Sequence, residues 1–280
     1  MRLHKGEETM NFLQTIILAI VQGISELFPI SSVAHSVIVP YIFGWNLSEE
    51  FLKNNFLEFV VMMHVGTTLA LLLYFRKDWY QIIRSLFTRD SKKTLMLIVV
   101  GTIPAVILGA LFEKRITEAF SNVGLAASFL IVNGVLLFLG ERFRQKGTKK
   151  LEELTWWQAV IVGIFQSFAL IPGFSRSGSS MTAGFWLGLS NEESARFSML
   201  LATPVIAGAA VLEIPKLIQH HPAGLLGLSV TGGVVAGFFA FLSVYFLMHW
   251  FNRKEINTMG PFSLYCIVMG AGVLLFKSLA

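Results

Sequence analysis

Long apolar runs separated by short polar segments are the dominant pattern along the chain. A helix needs roughly 20 apolar residues to cross the hydrocarbon core of a bilayer. Runs that approach this length occur in both halves of the chain, at 59–75, 94–112, 125–139, 192–214, 225–250 and 262–276. The pattern predicts an all-α polytopic membrane protein that forms a single integral membrane domain over residues 1–280.

Two further apolar stretches are interrupted by a proline, Pro29 in the first half and Pro172 in the second. The flanking apolar segments lie at 12–28, 33–43, 157–171 and 181–189. Most of them are too short to span a bilayer, and broken helices at membrane depth are tolerated only where protein buries them or where they line a wet cavity. We interpret both stretches as re-entrant hairpins made of half-helices.

The two halves of the chain carry a weak internal repeat. Residues 21–32 find an echo in 165–177, since each is an apolar half-helix followed by proline and then serine. A second echo joins 101–105 to 201–205, at the corresponding place in each half. Such echoes predict two structural repeats within the one domain.

The charged loops predict how the repeats are oriented. The first repeat is expected over about 11–145 and the second over about 154–280. Basic residues concentrate at 76–93 and 142–150, and the positive-inside tendency places both segments in the cytoplasm. Three spans then separate the hairpins, so the first hairpin enters from outside and the second from inside. The halves are therefore expected to be inverted repeats, with both termini outside.

Composition agrees with a membrane protein. Of the 280 residues, 54% are hydrophobic and 14% are charged, a balance too apolar for an ordinary soluble domain. The formal net charge of +5 arises from the short loops, where it sets membrane orientation, so we expect no nucleic-acid partner. Cys266 is the only cysteine, which excludes an internal disulfide and a cysteine-ligated zinc site.

The hairpins predict an anion-binding site. Two opposed hairpins bring together the N-termini of the half-helices that begin near Ser32 and Ser175. Each N-terminus offers unpaired N–H groups and the positive end of a helix dipole. The alternative interpretation is two proline kinks whose serine side chains cap the helices.

Ionisable residues in apolar surroundings narrow the chemistry, because each is costly there unless it is paired or hydrated. They are Glu26, His35, Glu58, Arg176 and Arg196. Arg176 is interpreted as a bidentate clamp for phosphate oxygens, with an ion pair to Glu26 as the alternative. Arg196 and Glu58 are expected to form a supporting network, and Arg196 is the second candidate for a phosphate contact.

The first hairpin places a hydroxyl, an imidazole and a carboxylate close together. Ser32 and His35 are three residues apart and share one helical face. Glu26 lies one turn after Gln22, so the two side chains project together and are expected to supply oxygen ligands for Mg²⁺ or Ca²⁺. A core histidine with satisfied hydrogen bonds is the alternative for His35 and for His64, which only its apolar context singles out.

At residues 22–35 and 172–178 the chain resembles the two signature motifs of undecaprenyl-diphosphate phosphatases. The resemblance extends over 58–71, 101–112 and 196–208 in the same order, so it spans nearly the whole chain. It implies hydrolysis of undecaprenyl diphosphate to undecaprenyl phosphate and inorganic phosphate, which recycles the carrier lipid of cell-wall synthesis and confers bacitracin resistance. It also implies a bacterial inner-membrane location with the active site open to the periplasmic side.

The resemblance assigns roles in the first motif. Gln22 and Glu26 match the Glu/Gln-x-x-x-Glu element of the family, and His35 matches its motif histidine. Ser32 matches the serine proposed as a nucleophile. A polyprenyl diphosphate lipid is then the expected partner, in contact with membrane lipid, and a homodimer is left open.

In the second motif, the pair of Ser175 and Arg176 matches the Ser-Arg pair of the family. The residues expected to bind substrate are Ser31, Ser175, Ser177, Gly178 and Arg196. Two departures stand out. The family usually has Thr-Gly where this chain has Val33 and Ala34, and Gln where this chain has His64.

Two chemical routes and one rival function stay open. Either Ser32, relieved of its proton by His35 or Glu26, attacks phosphorus to form a phosphoserine, or these groups activate water. The rival is a transporter or flippase of polyprenyl phosphate or another anionic lipid, because inverted repeats with broken helices are also transporter architecture. The combined hydroxyl, imidazole and carboxylate favour the enzyme.

Overall fold

The chain folds into helices throughout the part that the computed structural model describes, residues 10–48, 51, 55–120, 122–145, 147–220, 224–252 and 257–279. In chain order the helices are α1 (Phe12–Ser25), α2 (Ser32–Ile42), α3 (Phe56–Tyr74), α4 (Arg76–Ser85), α5 (Lys93–Phe120), α6 (Val123–Arg142), α7 (Trp156–Ser167), α8 (Arg176–Trp186), α9 (Asn191–His220), α10 (Leu225–Phe251) and α11 (Gly260–Leu279). Within these residues the only pairing of the strand type is an isolated bridge between Lys149 and Leu189.

Six of these helices, α3, α5, α6, α9, α10 and α11, are long and apolar enough to cross a membrane. Each covers one of the six long apolar runs, so the prediction of an all-helical polytopic membrane protein is confirmed. The basic segment after α3 also contains α4, which buries Ile82 and Ser85 while Arg76, Lys77 and Arg84 stay exposed.

The four shorter apolar helices form two pairs that meet at the prolines. Helices α1 and α2 flank Pro29, and α7 and α8 flank Pro172, with a 3-10 turn at Phe168–Leu170 after α7. The breaks therefore occur where the apolar stretches predicted them.

All four short helices begin on side-chain caps. A capping box starts α1, where Asn11 and Gln14 each bond the backbone N–H of the other at 2.9 Å. Thr155 and Gln158 form the same motif at the start of α7. At α2 and α8 the caps are Ser31 and Ser175, whose hydroxyls accept the backbone N–H three residues on.

Small residues allow close helix crossings. This is common in membrane proteins, because the hydrophobic effect does not drive helix association in lipid and close van der Waals packing must do so. Gly66 on α3 lies against the backbone of Gly233 on α10, and a Cβ there would collide with the Gly233 carbonyl oxygen. Gly163 on α7 meets the carbonyl of Gly101 on α5 in the same way. A larger side chain at either position would push the helices apart.

Helix α6 lies behind both short-helix pairs, because α2 and α8 each pack on it. On its other side α6 packs along α11, where Ser263 donates a 2.7 Å hydrogen bond to the carbonyl of Gly134. Among the other helices, α3 packs on α9, α1 packs on α10 and α7 packs on α5. This arrangement puts the starts of α2 and α8 side by side in the interior.

Candidate functional site

A cavity of about 200 Å³ lies at the starts of α2 and α8. Its polar wall consists of Glu26, Ser31, Ser32, His64, Gln166, Ser175 and Arg176. Its apolar wall comes mainly from α3, α5 and α9, and includes Leu57, Val60, Val61, Ala105, Ile116, Val205, Ile206 and Ala209. One cavity thus offers polar groups and a hydrocarbon surface, the combination that an amphiphilic anion requires.

Glu26 connects the two motifs. This buried carboxylate follows α1, and its Oε2 accepts from Ser32 Oγ at 2.6 Å and from Gln22 Nε2 at 3.2 Å. Its Oε1 lies 3.3 Å from Nη2 of Arg176, 150 residues further along the chain. The helical spacing correctly predicted that Gln22 and Glu26 project together, and the ion pair offered as the alternative for Arg176 is present.

The Ser32 hydroxyl and its proton acceptor are both shielded from solvent. Ser32 is 7% exposed and Glu26 is 6% exposed. The 2.6 Å separation is short for a hydrogen bond between a hydroxyl and a carboxylate, as expected for a charge-assisted contact. In this structure the carboxylate that accepts the Ser32 hydroxyl hydrogen is therefore that of Glu26.

His35 is buried but faces away from the Ser32 hydroxyl. Its Nδ1 lies 2.7 Å from the carbonyl oxygen of Ser31, and its Nε2 lies 2.6 Å from the hydroxyl of Tyr265 on α11. The two rings also stack, with centroids 5.6 Å apart and an angle of 9°. Although the spacing places His35 on the helical face of Ser32, its ring contacts Ser31 and Tyr265, and His35 is not part of the cavity wall.

His64 reaches the carboxylate instead. It lines the cavity from α3, with Nε2 lying 3.1 Å from Glu26 Oε2 and Nδ1 lying 2.9 Å from the carbonyl oxygen of Val60. The sequence singled out His64 only as an ionisable residue in an apolar run. Its partner could not be read from spacing, because 38 residues separate it from Glu26.

Arg176 is buried at the first position of α8. Its Nη1 donates to the carbonyl of Ser198 at 2.9 Å, and its Nη2 contacts Glu26. Its buried Nε finds no hydrogen-bond partner among the described residues. The guanidinium is thus held from two sides, while Arg176 lines the cavity and its Nε–H is not engaged by the described residues.

The serines of the two motifs divide into two sets. Ser31 and Ser175 line the cavity and cap the helices that follow them. Ser31 has a positive φ of 66°, unusual for a residue with a side chain. Ser177 and Gly178, expected to bind substrate, are not in the cavity wall. The Ser177 hydroxyl donates to the carbonyl of Phe28 at 3.2 Å, and Gly178 lies against Leu137 and Pro29.

Asn133 on α6 links the two motifs by hydrogen bonds. It was not singled out by the sequence. It is fully buried on α6, where Nδ2 donates to the carbonyl of Pro29 at 3.1 Å and Oδ1 accepts from the backbone N–H of Ser175 at 3.0 Å. The one available signal was a lone amide inside an apolar run, since polar groups at membrane depth are usually functional or paired.

Arg196 and Glu58 lie outside the cavity wall. Arg196 forms an ion pair of 2.6 Å with Asp78 on α4 and a second of 3.3 Å with Glu193. Its guanidinium is therefore engaged by carboxylates other than Glu58, and its expected roles in phosphate contact and in a supporting network stay predictions. Glu58 is in the first turn of α3.

The expected cation ligands fit only part of a metal shell. Gln22 Oε1 is buried without a hydrogen-bond partner in the described part of the chain, so it can act as an oxygen ligand. Both oxygens of Glu26 already have partners, and the described residues contain no group of three His, Cys, Asp or Glu side chains suited to a metal. Since Mg²⁺ takes about six oxygens, phosphate oxygens and water must supply the rest.

Together, the fold and the cavity define an integral membrane protein with a buried site for an anionic amphiphile. Residues 15–272 match the family model described as bacitracin resistance protein BacA. The chain therefore belongs to the BacA family, and it is a multi-pass bacterial membrane protein.

Relatives of known name agree with this assignment. Undecaprenyl-diphosphatase 2 of Oenococcus oeni is 68% identical over 271 residues, which cover 96% of this chain and 100% of the relative. Undecaprenyl-diphosphatase of Acidiphilium cryptum is 43% identical, with 94% of this chain and 96% of the relative covered. Undecaprenyl-diphosphatase 2 of Chromobacterium violaceum is 40% identical, with 96% and 99% covered.

Proposed function

We propose that the protein hydrolyses undecaprenyl diphosphate to undecaprenyl phosphate and inorganic phosphate. This reaction recycles the carrier lipid of cell-wall synthesis and confers resistance to bacitracin. The observation that carries the proposal is one cavity in which a serine hydroxyl, a carboxylate and a buried arginine meet beside an apolar wall, namely Ser32, Glu26 and Arg176. The names of the relatives support the same substrate.

Charge neutralisation is the main requirement for phosphoryl transfer, because the transition state spreads negative charge over the phosphate oxygens. The guanidinium of Arg176 and the positive N-terminal ends of α2 and α8, which meet at the cavity, supply it here. The apolar wall takes the first isoprenoid units of the lipid. A divalent cation carried in with the diphosphate, held by Gln22 and Glu26, would add further positive charge to the phosphate oxygens.

Ser32 is the nucleophile in the route that the geometry favours. Its Oγ attacks the terminal phosphorus while its proton moves to Glu26 Oε2, the atom 2.6 Å away. The bond from that phosphorus to the bridging oxygen breaks, and undecaprenyl phosphate leaves with the electron pair. Water then attacks the phosphoserine, Glu26 returns its proton to Ser32 Oγ, and both hydrogens of the water stay on the released phosphate.

Direct attack by water is the second route, with Glu26 as the base and Ser32 as a hydrogen-bonding partner. His35 is not the base in either route, since its ring nitrogens bond Ser31 and Tyr265. It supports the site by holding the backbone at Ser31, which has positive φ.

Inverted repeats and a periplasmic opening belong to the same proposal. Equivalent capping boxes start α1 and α7, and serine caps start α2 and α8, as expected if the two halves repeat one plan. The basic segments at 76–93 and 142–150 favour a cytoplasmic location for both loops and a site that opens on the opposite side. A homodimer and the absence of a nucleic-acid partner stay predictions.

Phosphate release by the purified protein tests the function. We expect release from undecaprenyl diphosphate, with slower release from geranylgeranyl and farnesyl diphosphates, which fill less of the apolar wall. Glu26→Gln is the matched control, because it keeps the size of the side chain and removes the base. Equal release by wild type and Glu26→Gln would reject hydrolysis at this site. Movement of intact lipid between leaflets without phosphate release would favour the transporter. Added chelator separates a required cation from a dispensable one.

A further inference from the structure

Glu26 has two competing sets of partners, and their balance decides whether it can act on Ser32. On Oε1 it meets the guanidinium of Arg176. On Oε2 it meets Ser32, Gln22 and His64. A carboxylate beside an arginine favours a bidentate contact through both oxygens. That contact would draw Oε2 away from the Ser32 hydroxyl.

The ring of His64 is fixed in one orientation. Its Nδ1 lies 2.9 Å from the carbonyl oxygen of Val60, which can only accept, so this nitrogen carries a hydrogen. The opposite nitrogen, Nε2, therefore faces Glu26 Oε2 at 3.1 Å. A proton must lie between these two atoms, because two lone pairs at that distance would repel each other. A hydrogen bond therefore joins the imidazole ring to Glu26 Oε2 and fixes the position of that oxygen.

We propose that His64 is a positioning residue for the Ser32 reaction. By donating Nε2–H to Glu26 Oε2, it holds that oxygen against the Ser32 hydroxyl and limits Arg176 to a single contact with Oε1. The arginine consequently keeps its Nε for the phosphate. This inference rests on the proposed hydrolysis and assigns a role to a residue outside the two sequence motifs.

In this role His64 acts by donating one hydrogen bond, so a replacement side chain must place an N–H donor at the same distance from Glu26. A glutamine can donate an N–H over about the same reach as the far nitrogen of a histidine, whereas an asparagine is one methylene shorter and cannot. Gln and Asn carry the same functional group. Comparing His64→Gln with His64→Asn therefore isolates the contact to Glu26 from polarity and from general packing.

The test is steady-state phosphate release by His64→Gln, His64→Asn and His64→Leu, each first checked for a monodisperse, thermally cooperative protein. We expect kcat to fall about 10- to 100-fold in His64→Asn and His64→Leu, the effect of one lost hydrogen bond to a charged group. The KM should change little, since Arg176 still binds the phosphate. We expect His64→Gln to recover most of kcat.

The matched control is His249→Asn on α10, where the histidine is exposed and outside the cavity wall; it should retain wild-type kcat and KM. Wild-type kcat in His64→Asn overturns the proposal. So does a His64→Gln variant as slow as His64→Leu, because the imidazole itself would then be needed. Either result leaves phosphate release by wild type intact, so it is distinct from a failure of the proposed function.

Discussion

Replacement of Ser32 by alanine separates the two chemical routes with little structural disturbance. Ser31, not Ser32, caps α2, so the start of the helix is unaffected. Glu26 loses its 2.6 Å contact with the hydroxyl but keeps Gln22, His64 and Arg176. The variant should therefore fold as wild type does, and any loss of turnover reflects the chemistry of the hydroxyl.

The two routes predict losses of different size in Ser32→Ala. If water attacks, the variant removes one hydrogen-bonding partner of a carboxylate, which costs about 1.5–3 kcal/mol, or roughly 10- to 150-fold in rate. If Ser32 attacks, the nucleophile itself is gone, and losses on the order of 10⁶-fold are typical of serine enzymes. A residual rate measured by phosphate release lies clearly on one side or the other. We expect the larger loss.

The covalent route also predicts a trapped intermediate. After rapid acid quench with substrate labelled in its terminal phosphate, wild type should carry label and Ser32→Ala should not. Ser36→Ala is the matched control, since Ser36 is buried one turn further along α2 and its hydroxyl donates to the carbonyl of Val33. It should keep both label and turnover. Unlabelled wild type together with a loss of 150-fold or less in Ser32→Ala would assign the attack to water.

Three further outcomes are expected. Arg176→Lys keeps the charge but loses the planar fork, so turnover should fall substantially while thermal unfolding in detergent stays cooperative; near-normal turnover would move the clamp elsewhere. Asn133→Leu leaves two buried backbone groups, the Pro29 carbonyl and the Ser175 N–H, without the hydrogen bonds of Asn133, and it should lower the free energy of unfolding by about 2–5 kcal/mol. Ser263→Ala on the neighbouring helix is the control and should cost about 1 kcal/mol. Equal effects would contradict the bridging role. In a chain without its native cysteine, Ser91→Cys should react with impermeant reagent only from the cytoplasm and Ser278→Cys only from outside, and the reverse would overturn the proposed orientation.

The spans were predictable because a run of about 20 apolar residues is a local property of the sequence. The start of the half-helix after Pro172 was predicted near Ser175, and α8 covers Arg176–Trp186. Its apolar segment at 181–189 alone would have placed that start several residues later. The first turns of α8 are polar in sequence and still buried, because the hydroxyls of Ser177 and Ser180 find hydrogen-bond partners in the protein interior.

The sequence predicted which residues form most of the polar wall of the cavity, but it did not predict the directions in which their side chains point. Spacing placed Gln22 beside Glu26, and the cost of burying charge pointed to Arg176. Spacing could not distinguish the histidines, because the direction of each ring depends on helices distant in sequence. Tyr265 on α11 turns His35 away from the cavity, while the approach of α3 brings His64 into it.

Two interpretations of Arg176, an ion pair with Glu26 and a clamp for phosphate, are compatible in this geometry. A buried guanidinium whose donors were all engaged would have a structural role only, since a ligand could bind solely by displacing partners. Here Nη1 holds the carbonyl of Ser198 and Nη2 holds Glu26, while the buried Nε has no partner among the described residues. The ion pair offsets the cost of burying both charges before substrate arrives. Because these contacts use only two of the five N–H donors of the guanidinium, the proposed binding of phosphate does not require the ion pair that holds Glu26 in place to break first.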